Sequence, residues 1–97
     1  MNLIQFEWDP KKNALNIRDH GIDFEEAKTV FFDEYARLIP DPKHSEQEER
    51  FIIIGFSSKA KLLIVCHCYR LNDEIIRLIS ARKAGKKEFH QYFRFKG

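Results

Sequence analysis

The chain has 97 residues, of which 43% are hydrophobic and 33% are charged, so we expect one globular domain with a modest core and not a disordered chain. It has no apolar run of about eighteen residues and no basic-then-apolar N-terminus, so we expect a cytoplasmic protein without a membrane-spanning helix or a signal peptide. The net charge of +2 combines −5 over residues 1–50 with +7 over residues 51–97. The basic half indicates contact with a polyanion or an acidic partner, unless it only keeps the protein soluble.

The first predicted elements are a short strand and a helix. Residues 3–8 are rich in strand-forming side chains. Asp9 and Pro10 predict the start of a helix, because aspartate caps free amides and proline suits the first helical position. Gly21 predicts the end of that helix after His20, which we expect to have a structural role at the helix C-terminus.

A second short helix should follow that turn. Asp23 and Glu26 have the spacing of a capping box. Phe24, Ala27 and Phe31 recur at the spacing of a buried stripe. The two helices are therefore expected to form a helical hairpin.

The rest of the chain predicts a run of antiparallel strands and a closing helix. Turn-forming residues separate the apolar segments, and segment 43–49 is polar and acidic, as a loop would be. Several strands are apolar on both faces and need helices as cover. The fold class is therefore α+β, a single domain over residues 1–97 with the order β-α-α-β-β-β-β-α and a mainly antiparallel sheet flanked by helices. These strands are expected at residues 36–39, 50–56, 62–70 and 74–82, and the closing helix at residues 84–93.

The two cysteines lie two residues apart in an apolar strand. Cys66 and Cys68 should share one face of that strand, where they are poorly aimed for a disulfide. Two small buried side chains are one interpretation, and a redox pair or half of a metal site is the other. Because there is no second cysteine pair and the four histidines are scattered, we expect neither a metal nor a cofactor.

The last predicted strand carries two arginines, although a guanidinium in an apolar strand is costly to desolvate without a polar partner. Phosphate binding is one explanation for Arg77 and Arg82, because the guanidinium group fits phosphate oxygens and stabilises transition-state charge. The alternative is that Arg77 pairs with an acid such as Glu74 or Glu49, and that Arg82 is only exposed at the strand end. Strict alternation would put Ile76, Leu78, Ser80 and Arg82 on one face and Ile75, Arg77, Ile79 and Ala81 on the other.

The closing helix continues the basic character of Arg82. RNA contacts are predicted for Lys83, Lys86 and Lys87. Tyr92 follows on the same helix, where an aromatic ring can stack on an unpaired base. Phe89 and Phe93 form an i, i+4 pair, which we expect to face the core.

His67 is the histidine embedded in a strong predicted strand. Imidazole is the natural proton donor or acceptor near neutral pH, which makes His67 a candidate for proton transfer. A purely structural role inside the strand is the alternative.

Three blocks of residues follow one another in an order and spacing known from a family of small proteins. The first block is Phe6-Glu7-Trp8-Asp9, Lys12, Asn16, His20-Gly21 and Phe24-Glu25-Glu26-Ala27. The second block is Asp41-Pro42, His44-Ser45, Glu48-Glu49-Arg50, Ile54-Gly55 and Ser57. The third block is His67, Arg70, Ile76-Arg77, Ile79-Ser80-Ala81-Arg82, Ala84, Glu88 and Tyr92. Together the blocks span residues 6–92, and the chain resembles the BrnT family of toxins.

The resemblance implies a RelE-like fold and a ribonuclease toxin of a type II toxin–antitoxin module, which cleaves RNA without a metal ion and inhibits translation. It also implies a cognate BrnA-like antitoxin, of the ribbon-helix-helix type, that binds DNA as the complex. The RNA 2′-hydroxyl would be the nucleophile. Arg70 and Arg82 are then expected to stabilise charge, His67 to transfer a proton, and Arg77 and Tyr92 to support them. A non-catalytic module that binds nucleic acid or protein on the same fold is the alternative.

Overall fold

The computed structural model describes residues 4–41 and 49–96, which form one sheet with helices on both faces. The strands are β1 (Gln5–Glu7), β2 (Arg37–Pro40), β3 (Phe51–Phe56), β4 (Leu62–Arg70) and β5 (Ile75–Lys83). The helices are α1 (Pro10–His20), α2 (Phe24–Ala27), which continues as a 3-10 helix (Lys28–Phe32), and α3 (Lys86–Lys96). No helix in this part of the chain is long and apolar enough to cross a membrane.

The sheet has the strand order β1-β5-β4-β3-β2. β1 runs parallel to β5, and the other neighbouring strands are antiparallel. The expected α+β class and order of elements are confirmed. Except for Glu49, the predicted loop at 43–49 lies outside the described residues.

The ends of α1 follow from its terminal residues. The Asp9 carboxylate accepts a hydrogen bond from the Lys11 amide at 2.9 Å, which satisfies one of the free amides of the first turn. Gly21 has a φ of 70° and donates its amide to the Ile17 carbonyl at 2.8 Å. This left-handed conformation suits glycine and ends the helix, as predicted.

α2 begins with a side-chain cap but lacks the second half of a capping box. Asp23 accepts from the Glu25 amide at 2.9 Å. Glu26 does not turn back to Asp23; it is buried and accepts from the Ser57 hydroxyl at 2.7 Å. The expected capping box is therefore wrong in this half, because a buried long-range partner binds the Glu26 carboxylate.

The main core lies between the sheet and the helical segment 22–32. From this segment the core takes Ile22, Phe24, Ala27 and Val30, which are fully buried. We call the sheet side that meets them the helix-covered face; it contributes Ile53, Leu63, Val65, Ile76, Leu78 and Ala81. Each large aliphatic side chain buried here contributes about 1.5–3 kcal/mol of hydrophobic stabilisation.

Asn16 joins α1 to β5 by side-chain hydrogen bonds. β1 pairs with β5 only along residues 75–77, so no described strand adjoins β5 on that side near Ala81. Asn16 Nδ2 donates to the Ala81 carbonyl at 2.8 Å, and its Oδ1 accepts from the Ala81 amide at 3.0 Å, as a neighbouring strand would. Nδ2 also donates to the Ile22 carbonyl at 2.9 Å, which ties the turn after α1 to the same point.

β5 contains one inserted residue. Cys66 of β4 pairs with Ser80, but the next residue, His67, pairs with Leu78. Ile79 therefore has no partner of its own in β4, as the extra residue of a β-bulge has none.

The insertion changes which residues share a face. Ser80 and Arg82 lie on the same face as Arg77, opposite the helix-covered face, while Ala81 joins Leu78 in the core. The expected alternation along β5 is therefore wrong, because one extra residue shifts its phase beyond the insertion.

α3 covers one end of the other side of the sheet, which we call the open face. Tyr92 is 2% exposed, packs edge-on against Phe56 with ring centroids 5.3 Å apart, and donates its hydroxyl to Asp33 Oδ2 at 2.7 Å. Phe89 and Phe93 are 48% and 38% exposed, so the expectation that they face the core is wrong. The helix is rotated so that Tyr92, whose hydroxyl has an acceptor in the half-buried Asp33, points at the sheet.

Candidate functional site

The part of the open face that α3 leaves uncovered forms a cleft of about 500 Å³. This volume is typical of ligand pockets, which combine a mainly apolar lining with a few polar groups. Five side chains, which we call the isoleucine floor, form the apolar lining: Ile39, Ile52, Ile54, Ile64 and Ile79.

Strand register aligns this floor. Ile39 pairs with Ile52 across β2 and β3, and Ile54 pairs with Ile64 across β3 and β4. Successive residues of a strand point to opposite faces, so Ile52 and Ile54 face the cleft while Ile53 between them enters the main core. The uninterrupted apolar sequence of β3 therefore supplies both the core and the cleft.

Charged groups surround the isoleucine floor. Three cations line the cleft, namely Arg50, Arg82 and Lys87, together with the carboxylates of Asp41 and Glu88. Of the predicted site residues, Arg82 and Lys87 are thus brought together here. Two elements meet at this point, since Arg82 is the second-last residue of β5 and Lys87 lies in the first turn of α3.

Arg82 is held at the rim without being covered. Its side chain is 49% exposed, with Nη1 at 3.5 Å from Glu88 Oε1 and 3.2 Å from the Lys83 carbonyl. Glu88 also accepts the Gly85 amide at 2.7 Å, and this hydrogen bond lowers the pKa of the Glu88 carboxyl. Glu88 thereby caps the N-terminus of α3 and orients the guanidinium of Arg82.

His20 also lines the cleft, a placement that sequence reasoning missed. It follows Asn16 by four residues on α1, so both side chains lie on the same side of that helix. Because Asn16 is bonded to Ala81, the next turn of α1 brings His20 to the region of Arg82. The i, i+4 spacing was visible in the sequence, but the docking of α1 on β5 joins residues 65 positions apart.

The Cys66 thiol lies in the cleft beside Asp41, with Sγ at 3.9 Å from Asp41 Oδ2. Burial, and then the nearby carboxylate, raise the pKa of Cys66 to about 11. Cys66 is therefore a protonated thiol at neutral pH and Cys68 is buried, both without a disulfide. This agrees with the interpretation of two small, mostly buried side chains.

Arg70 and Arg77 form a separate group at the other end of β5. Glu7 Oε2 lies 2.8 Å from Arg77 Nη1 and 3.5 Å from Arg70 Nε. The hydrogen bond with Glu7 raises the pKa of Arg77. The acid that pairs with Arg77 is therefore Glu7, and neither Arg70 nor Arg77 lines the cleft around Arg82.

His67 lies on the helix-covered face, away from the cleft, and has no exposed surface. Its Nδ1 is 3.2 Å from the Val65 carbonyl, and its Nε2 is 3.2 Å from the Tyr69 hydroxyl. Its ring contacts Phe31, with centroids 4.7 Å apart. Burial lowers the pKa of His67 to about 4, so the imidazole is neutral at physiological pH.

The other predicted residues lie around α3. Lys83 and Lys86 are exposed and do not line the cleft. Tyr92 is buried between α3 and the sheet, where burial and the bond to Asp33 raise the pKa of its hydroxyl.

Among residues 4–41 and 49–96, no three His, Cys, Asp or Glu side chains are grouped so that they could hold a metal ion.

Fold and site together define a small α+β domain with an apolar cleft on an open sheet face, ringed by three cations. The family model described as the ribonuclease toxin BrnT of type II toxin–antitoxin systems matches residues 8–88, and this chain belongs to that family. The match includes α1, the whole sheet from β2 to β5 and the start of α3, and thus nearly all of the cleft. A search of curated proteins gave no match.

The fold is shared with a solved structure. The crystal structure of the Brucella abortus ribonuclease toxin BrnT is similar to this chain with a TM-score of 0.66 and 23% sequence identity. The similarity covers 87% of this chain and 100% of the other.

Proposed function

We propose that this chain cleaves RNA in the cleft on its open face, as the toxin of a type II toxin–antitoxin module. The observation that carries the proposal is the meeting of Arg82, Lys87 and His20 at one cleft, in a chain of a ribonuclease toxin family. Two cations can bind a phosphodiester, and an imidazole can move a proton beside it.

The reaction we propose is attack of the RNA 2′-hydroxyl on the neighbouring phosphorus, without a metal ion. The 2′-oxygen forms a bond to phosphorus while its proton passes to His20, and the bond to the 5′-oxygen breaks. That oxygen takes up a proton from solvent, and the products are a 2′,3′-cyclic phosphate and a 5′-hydroxyl end. Arg82 and Lys87 stabilise the charge that develops on the phosphoryl oxygens.

Glu88 and Tyr92 support this arrangement without touching the RNA. Glu88 orients the Arg82 guanidinium through its contact at 3.5 Å. Tyr92 anchors α3, and with it Lys87, through the bond to Asp33. Both are positioning residues in this proposal.

The remaining predicted residues take binding roles or none. Arg70 and Arg77 would contact phosphates of the RNA farther from the cleavage site, since Arg77 shares the open face with Arg82. Lys83 and Lys86 would add non-specific attraction for RNA. His67 lies outside the proposed site, because a fully buried ring cannot reach a substrate on the opposite face.

We further propose that RNA cleavage inhibits translation and that a cognate antitoxin neutralises the chain. The family description supports a partner antitoxin, since type II modules pair a toxin with a protein antitoxin. A BrnA-like ribbon-helix-helix protein that binds DNA as the complex is the partner we expect.

The experiment is expression of the toxin in a bacterial host, with cleavage of a defined RNA by the purified protein. Arg82→Ala should relieve growth arrest and slow cleavage by about 100-fold or more, as removal of a transition-state donor does. Arg18→Ala is the matched control, because the Arg18 side chain is also exposed, 69% against 49% for Arg82, but pairs with Asp19 on α1 and does not line the cleft.

The variant His67→Gln tests the placement of the imidazole. It should destabilise the fold but leave the rate of the folded fraction near that of the wild type, whereas His20→Gln should lower the rate. Wild-type cleavage rates for both Arg82→Ala and His20→Gln would contradict this site. RNA binding by the wild-type protein without any cleavage would support the non-catalytic module instead.

A further inference from the structure

The chemistry proposed above leaves the isoleucine floor without a use. Ile54 and Ile64 are nearly buried, but Ile39, Ile52 and Ile79 remain half-buried beside Arg82. Phosphate gains nothing from apolar contact, so an anion alone does not account for this surface. A ligand that joins a phosphate to a flat apolar ring would use both parts of the cleft.

Polar groups stand beside the floor. Asp41 is 6% exposed, and its amide donates to the Arg50 carbonyl at 2.9 Å, which fixes its backbone next to β3. Its carboxylate approaches the thiol of Cys66, which pairs with Ile52 in the sheet. The Asp41 carboxylate therefore lies at the edge of the isoleucine floor, and Gln91 of α3 lines the same cleft.

We propose that the cleft holds one unstacked base of a single-stranded RNA against the isoleucine floor, and that Asp41 selects guanine. The proposal rests on the proposed function, because the phosphate next to this base is the one that Arg82 and Lys87 bind. Asp41 and the floor are thus specificity-determining, while the reacting atoms meet Arg82 and His20.

Hydrogen-bonding chemistry decides which base fits. The Watson–Crick edge of guanine presents two neighbouring donors, the N1–H and the N2 amino group, which match the two oxygens of a carboxylate. Adenine and cytosine present one amino donor beside an acceptor, and uracil presents one N–H between two acceptors. A carboxylate has about four acceptor positions, so Asp41 can keep its contacts within the protein, that of the Cys66 thiol among them, and still accept these donors.

Charge decides between RNA and a protein as the occupant. An apolar segment of a protein partner would also fit the isoleucine floor. The rim, however, carries three cations against two carboxylates, and two of the cations, Arg82 and Lys87, belong to the basic half of the chain. This excess favours an anionic ligand, and RNA brings the ring and the negative charge together.

The test measures kcat/KM on short RNAs that differ only in the nucleotides beside the cleavage site. Guanine should be preferred at one of these positions by about tenfold or more, as expected of a bidentate contact. Inosine keeps the N1–H but lacks the N2 amino group, and should lose most of this preference. Equal cleavage of all four bases, or of inosine and guanosine, would overturn the proposal.

The variant Asp41→Asn carries one acceptor in place of two. It should reduce the preference for guanine to about threefold or less, chiefly by lowering kcat/KM on the guanine substrate. Asp19→Asn on α1 is the control and should retain the full preference. An unchanged preference in Asp41→Asn would contradict the role of Asp41, and if this variant does not fold, the inosine comparison decides.

Binding of 2′-deoxy oligonucleotides separates this proposal from the catalytic one. Guanine-selective binding without any RNA cleavage would support the base site and refute the proposed function. Cleavage without base preference would support the proposed function and refute the base site. If Ile79→Ser weakens antitoxin binding but leaves both RNA affinity and guanine preference unchanged, the floor serves a protein and the proposal fails.

Discussion

Replacing Asn16 by alanine tests how α1 is held against the sheet. The change removes two donated bonds, to Ala81 and Ile22 at 2.8 and 2.9 Å, and one accepted from Ala81 at 3.0 Å. The side chain is 6% exposed, so its backbone partners lose their bonds in a region from which water is largely excluded. Each buried group left unsatisfied costs about 1–3 kcal/mol, and we expect a total loss of about 3–5 kcal/mol.

This loss is large compared with the total stability of a small domain, about 5–15 kcal/mol. Urea unfolding followed by the fluorescence of Trp8, which packs edge-on against Phe24, measures it. Asn13→Ala is the control on the same helix. Asn13 bonds to the exposed Asp23 and to the Phe24 amide, so we expect a loss of about 1–2 kcal/mol.

A second variant makes the test sharper. Asn16→Asp keeps the acceptor for the Ala81 amide but places an oxygen against two carbonyl oxygens, those of Ala81 and Ile22. It should be at least as destabilising as Asn16→Ala. If Asn16→Ala costs less than about 1 kcal/mol, or if Asn16→Asp is as stable as the wild type, these bonds do not hold α1 as described.

Two further predictions concern buried groups outside the cleft. The pKa of His67 falls from its ordinary 6.5 to about 4 in the folded protein, so the unfolded chain binds the proton more readily. The free energy of unfolding should have its full value above pH 6.5 and should decrease by up to about 3 kcal/mol as the pH falls towards 4. A series of urea titrations at different pH values measures it. The same pH dependence in His67→Gln would assign it to another group. Tyr92→Phe removes the bond to Asp33 and should cost about 1–2 kcal/mol, with faster amide exchange in α3; unchanged exchange would show that this hydroxyl does not anchor the helix.

Local signals predicted the element boundaries well. Asp9 caps the start of α1 and Gly21 ends it, as expected, because a side-chain cap and a left-handed glycine act within a few residues of the helix terminus. The apolar runs predicted the strands of the sheet, and helices on both faces followed from strands such as β3 that are apolar on both sides. The α+β class was therefore open to prediction from local pattern alone.

The site was harder to predict because long-range contacts decide it. The partner of Arg77 is Glu7, 70 residues away, and no spacing rule connects them. The extra residue at Ile79 moves Arg82 onto the open face, and no local sequence pattern predicts this β-bulge.

The rotation of α3 was likewise not visible in its sequence. An i, i+4 pair of phenylalanines suggests a buried stripe, but the hydroxyl of Tyr92 has an acceptor in Asp33 that a phenylalanine could not use. The reaction is what the family resemblance implies, and we propose the cleft as its place because Arg82, Lys87 and His20 line it together. Arg70 and Arg77 instead gather around Glu7, and His67 is buried.

The measurement that tests the central claim most directly is cleavage of a short RNA in the presence of EDTA, compared with the same RNA carrying a single 2′-deoxy nucleotide at the cleavage site. We expect the wild-type protein to leave a 2′,3′-cyclic phosphate end, the 2′-deoxy substrate to resist cleavage, and Arg82→Ala to be slower by about 100-fold or more. Cleavage at the 2′-deoxy position, or a wild-type rate for Arg82→Ala, would contradict the central claim.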